Sequence, residues 1–106
     1  MSVMMTMVLK GDPRKLEEHA SRERDAMQEI LASAKEHGAI AHRFYGSESG
    51  EIMVVDEWPD AQSFESFFEE NQGRIGPMMQ AAGVTSEPQP TIWRKLETHD
   101  DLGWGA

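Results

Sequence analysis

The chain has 106 residues, no cysteine and a formal net charge of −9. That length fits one domain with a modest core. The missing thiols exclude disulfides, thiol catalysis and thiolate metal sites, and they fit a cytoplasmic protein. The acidic balance disfavours nucleic acid and anionic membrane surfaces as partners, because both need clustered Lys and Arg. Residues 1–10 are apolar but too short and wrongly flanked for a signal peptide. No run approaches the roughly 20 apolar residues of a membrane span.

Taken in order, residues 4–9 read as a first strand. Val3, Met5, Met7 and Leu9 share one face and Met4, Thr6 and Val8 the other. Both faces are largely apolar, so both should be covered. Asp12-Pro13 is a helix start, with Asp12 as cap and proline at the first helical position. One helix is expected from there to His37, with Leu16, Ala20, Met27, Ile30, Leu31 and Ala34 as its apolar stripe and Gly38 as its stop.

Residues 39–45 read as a second strand, residues 46–50 as a turn, and Glu51–Trp58 as a third strand, so the pair forms a hairpin. Pro59 ends the third strand and Asp60 caps the next helix, which carries Phe64, Phe67 and Phe68 inward. The run Asn71-Gln72-Gly73 breaks this helix, and a second helical piece over residues 75–82 turns Met78, Met79 and Ala82 inward. Residues 86–90 form an extended connector and residues 91–96 a last strand. The domain is expected to span residues 1–96, with residues 97–106 as a polar tail.

Strand, helix, strand, strand, helix, strand is the order of the split βαβ, ferredoxin-like α+β fold. Right-handed crossovers then give a four-stranded antiparallel sheet of order 4-1-3-2 with the helices on one face. The other face stays open although it is apolar. A second copy of the same sheet is its simplest cover, so a homodimeric α/β barrel is expected.

The third strand ends Val54-Val55-Asp56-Glu57-Trp58 and is followed by Pro59-Asp60-Ala61-Gln62-Ser63-Phe64. With the element order and the length, this resembles the dimeric α/β-barrel superfamily, close to antibiotic-biosynthesis-monooxygenase-type domains. The segments Gly38-Ala39-Ile40-Ala41-His42-Arg43-Phe44 and Ala81-Ala82-Gly83-Val84 are similar to a bacterial branch of it. The resemblance implies a homodimer. It also implies a cofactor-independent, monooxygenase-like enzyme acting on a small aromatic or polyketide-like compound. The alternative is a non-catalytic dimeric module that binds a small apolar ligand or serves under stress. Haem-degrading members carry a histidine on the second helix. Here Phe67, Phe68, Glu69, Glu70 and Asn71 stand there, so no haem is expected.

The candidate chemistry lies on one face of the hairpin. Ile52, Val54, Asp56 and Trp58 share that face. A hairpin symmetric about Glu48 would set His42 opposite Val54 and diagonal to Asp56, a relation that a one-residue slip would destroy. A carboxylate beside an imidazole fixes its tautomer, so His42 would serve as base and Asp56 as its orienting partner. The other interpretation is a satisfied polar pair at a sheet edge. Trp58 is either a stacking wall for a flat ligand or a plain core residue, and Phe44, Phe64 and Met78 are the other expected ligand contacts. Arg43 and Glu57 face the opposite way and read as interface charges needing partners. No two histidines have ligand spacing, and Asp56 and Glu57 point apart, so no metal is expected.

Overall fold

A computed structural model describes residues 1–104, and β1 (Val3–Lys10) is the strand on which its sheet is built. β1 pairs antiparallel with β3 (Glu51–Trp58) on one side and with β4 (Thr91–Arg94) on the other. β2 (Ala41–Gly46) pairs with the free side of β3. The sheet order is therefore β2-β3-β1-β4, which reads 4-1-3-2 from the β4 edge. β4 stops at Arg94, short of the residues 91–96 expected. The tail beyond it is exposed as far as residue 104. Residues 105 and 106 of the expected tail lie outside the described residues.

Four helices cover one face of the sheet: α1 (Pro13–Arg22), α2 (Arg24–Glu36), α3 (Ala61–Glu70) and α4 (Gln72–Ala81). Asp12 caps α1 through the Arg14 N–H, and Asp60 caps α3 through the Ser63 N–H. The single helix expected over residues 13–37 is divided at Glu23, whose backbone angles (φ −117°, ψ 50°) are not helical. The run Ser21-Arg22-Glu23-Arg24-Asp25 is wholly polar. Nothing in it is buried against the sheet, so packing does not hold one straight axis there. Gly38 accepts φ +92° just beyond α2, a conformation glycine adopts without steric cost. The second break falls at Asn71 alone, because Gln72 and Gly73 already belong to α4.

Strand alternation divides the sheet into two unlike faces. Towards the helices, Met5, Met7, Ile52, Val54 and Trp58 join Phe64, Phe67 and Met78 in one buried cluster. On the far face, cross-strand partners form rows: Tyr45, Met53 and Val8 in one, and Met4 with Trp93 and Glu57 in another. Five large apolar side chains in these rows are exposed, namely Met4, Val8, Tyr45, Met53 and Trp93. Several polar groups on this face find partners within the chain. Trp93 Nε1 donates to Thr6 Oγ1 at 2.7 Å, Arg43 donates to the Tyr45 hydroxyl at 3.2 Å, and Ser2 donates to Glu57.

The helices are tied together by a polar network centred on Asn71, which is fully buried at the α3–α4 junction. Its amide donates to Ser33 Oγ at 2.8 Å and to the Phe67 carbonyl at 2.9 Å, and its Oδ1 accepts from Arg74 at 3.1 Å. Ser33 in turn donates to Glu70 at 3.0 Å, and His37 Nε2 lies 2.7 Å from the same carboxylate oxygen. The His37 hydrogen bond, followed by that of Ser33, holds the Glu70 carboxyl below its ordinary value.

Replacing Asn71 by Ala removes partners from Ser33 and Arg74, and about 1–3 kcal/mol of stability should be lost in urea unfolding. A depressed carboxyl contributes stability above its unfolded pKa and loses it as pH falls through the folded value. The difference in urea midpoint between the parent chain and Glu70→Gln should therefore be constant near neutrality. It should close as pH drops below about 4.

Candidate active site

Hairpin geometry decides where the chemistry lies. β2 and β3 pair with His42 directly opposite Asp56 and Phe44 opposite Val54. The turn is thus centred one residue later than Glu48, where Gly50 accepts φ +84° and the Ser47 N–H bonds to the Glu51 carbonyl at 2.9 Å. Moving the centre by one residue shifts the pairing by two, so every side chain keeps its face. The diagonal relation expected between His42 and Asp56 becomes a direct one.

Asp56 is buried, with 4% of its surface exposed, and both its carboxylate oxygens are engaged. Oδ1 lies 2.6 Å from His42 Nδ1, and Oδ2 accepts from the Trp58 indole N–H at 3.2 Å. A buried carboxylate is costly unless paired and hydrogen-bonded, and here an imidazole and an indole each supply a donor. With Nδ1–H turned to Asp56, the neutral imidazole carries its lone pair on Nε2. Among the described residues Nε2 has no hydrogen-bond partner. The His42 side chain is 35% exposed, so this nitrogen is reachable. Phe44 meets the imidazole edge-on, with centroids 4.9 Å apart, and limits its rotation.

The pair opens into a cavity of about 230 Å³ between the sheet and the helices. His42, Asp56, Phe44, Trp58, Phe64 and Met78 all line it, so the structure brings every expected site residue to one place. Trp58 is only 1% exposed and packs at 5.2 Å from Phe67 and 5.8 Å from Phe64. It is both core and cavity wall, and its N–H also holds the carboxylate, a role that strand alternation alone does not disclose. Met5, Met7, Met27, Gln28 and Leu31 are among the further wall residues that were not among the expected contacts. Gln28 flanks the α2 stripe beside Met27 and one turn before Leu31, and that position was the available signal. Among the described residues, no group of three His, Asp or Glu side chains gathers as a metal site, and no helix is long and apolar enough to cross a membrane.

Solved structures with this architecture are numerous. A conserved protein from Methanosarcina mazei is 20% identical, with a TM-score of 0.64 over 90% of this chain and 93% of its own. A candidate antibiotic biosynthesis monooxygenase from Deinococcus radiodurans is 14% identical, with a TM-score of 0.63 over 95% of this chain and 99% of its own. A dimeric ferredoxin-like protein from an uncultured marine organism is 9% identical, with a TM-score of 0.65 over 95% and 93%. The chain has the ferredoxin-like fold of the antibiotic-biosynthesis-monooxygenase-like proteins. No family model and no curated protein sequence matches it. At these identities the likeness establishes the fold, and chemistry must be argued from the cavity itself.

Asp56→Ala leaves a buried indole N–H without an acceptor and His42 without an anchor. About 2–3 kcal/mol should be lost, read as a lower urea midpoint. Trp58→Phe removes one donor while keeping most of the ring volume, and about 1–2 kcal/mol should be lost by the same measurement.

Proposed function

We propose that the chain is a cofactor-independent monooxygenase-like enzyme whose substrate is a small, electron-rich aromatic compound. The observation that carries this is the His42–Asp56–Trp58 relay, with Nε2 unpartnered among the described residues, beside a cavity whose one other polar lining residue is Gln28. A cavity of about 150 Å³ lined by apolar side chains takes benzene. One of about 230 Å³ suits one or two fused rings better than a large polyketide skeleton. In a reaction without cofactor, the substrate must itself supply the electrons that reduce dioxygen, and phenolates do so readily. His42 Nε2 takes the phenolic proton, and Asp56 stabilises the imidazolium that results. The phenolate passes an electron to dioxygen, and the radical pair combines at a ring carbon to give a hydroperoxide, which regains a proton from His42. Loss of water with the ring C–H proton leaves a quinone. One oxygen atom stays on the product and the other leaves as water, so the balance is phenol plus dioxygen to quinone plus water. Phe44, Phe64, Trp58 and Met78 form the wall against which the ring packs.

The same proposal includes a homodimer formed through the far face of the sheet. Its support is the set of exposed apolar side chains there, beside which the Trp93 indole, Arg43 and Glu57 already have partners within the chain. A sheet surface of this kind is normally covered. The similar marine protein is described as dimeric. The cavity opens on the opposite face, so each protomer keeps a whole site.

Oxygen uptake with naphthols should be measurable with the parent chain. His42→Ala should lower its rate by about a hundredfold or more while naphthol binding persists. Binding without oxygen uptake would overturn the enzyme and favour a non-catalytic binding module. In sedimentation at micromolar concentration the parent chain should run as a dimer and Trp93→Glu as a monomer. A monomeric parent would contradict the proposed barrel.

A further inference from the structure

The cavity is lined by apolar side chains except for His42, Asp56 and Gln28. Of these polar groups, Asp56 is buried, and each of its oxygens already engages His42 or Trp58. That leaves His42 on the sheet side and Gln28 on the α2 side as the exposed polar lining residues. Gln28 and His42 are the exposed members of the lining, while Met27, Leu31 and Phe44 around them are half-buried and Met5, Met7 and Val54 beyond are buried. The opening therefore lies between α2 and the β2 edge, with one polar residue on each lip.

We infer that Gln28 is a specificity-determining residue of this cavity, and that the ligand is an aromatic compound with two oxygen functions, one for each lip. The inference rests on the cavity of the proposed function being a ligand site. His42 takes the acidic hydroxyl. The Gln28 carboxamide both donates and accepts, so it pairs equally with a second hydroxyl or with a carbonyl. A ligand without the second oxygen leaves the carboxamide to water at the rim and loses only that hydrogen bond. A ligand with it gains a bond that fixes which ring edge faces His42. Orientation of this kind is what a slot walled by methionine and phenylalanine cannot supply, because dispersion contacts are non-directional.

The test is binding, read by quenching of intrinsic tryptophan fluorescence and by calorimetry, with naphthol and a set of isomeric naphthalenediols as probes. The parent chain should bind at least one diol about tenfold more tightly than naphthol. Gln28→Leu should erase that preference and leave naphthol affinity unchanged. Gln28→Glu, which accepts but does not donate, should retain the preference for hydroxyl-bearing probes and lose it for a hydroxynaphthoquinone, whose second oxygen is a carbonyl. If naphthol binds but no diol binds better, or if Gln28→Leu weakens naphthol and diol equally, Gln28 is a structural rim residue and the inference is overturned while the site stands. If no probe binds the folded parent chain, both the site and the inference fall.

Discussion

A single buried carboxylate organises the helix-facing side of this protein. Asp56 projects from a central strand into an apolar layer, where an isolated charge would be untenable. It is held there by the His42 ring from the edge strand and the Trp58 indole two residues along its own strand. Each partner depends on a different feature of the fold. His42 reaches Asp56 only in the observed hairpin register, and Trp58 reaches it only because residues two apart on a strand share a face. The packing of Trp58 against Phe64 and Phe67 then ties α3 to the same point. Hairpin register, helix docking and the orientation of the imidazole thus all meet at one carboxylate.

The sheet separates two tasks. Its helix-facing side carries the cavity and the relay, while its far side carries exposed Met4, Val8, Tyr45, Met53 and Trp93. The α3–α4 junction adds a second buried polar element. Asn71 joins Ser33 on α2 to the Phe67 carbonyl on α3 and, through Arg74, to α4. A network in which every member is satisfied specifies one arrangement of helices more sharply than methionine packing does. That matters here, because Met5, Met7, Met27, Met78 and Met79 line the cavity with flexible side chains. The cavity thus has adaptable walls set in a rigid frame.

Strand alternation and chain punctuation made most of the architecture legible in the sequence. Pro59-Asp60, Asp12-Pro13 and Gly38 mark element boundaries by local backbone chemistry, and β3 ran as expected over Glu51–Trp58. His42, Asp56, Trp58, Phe44, Phe64 and Met78 were also legible as candidates, because parity along the hairpin puts the strand members on the helix-facing side, whether the turn centres on residue 48 or 49. The division of the first helix at Glu23 was not legible, since Ser21 to Asp25 is compatible with a helix and only packing leaves it unsupported. Gln28 escaped for a related reason: a polar residue flanking an apolar stripe looks solvated until the opposing sheet is in place.

The sequence by itself determined which residues share a face, where β3 runs and where the helices after Asp12 and Asp60 begin, and which sheet topology joins the strands, because these follow from local periodicity and capping. Tertiary structure alone decided that His42 stands directly opposite Asp56, that the Trp58 indole holds the second oxygen, and that the helices leave about 230 Å³ open beside them. Those outcomes depend on turn geometry and on distances between elements far apart in the chain, and no local pattern of residues encodes them.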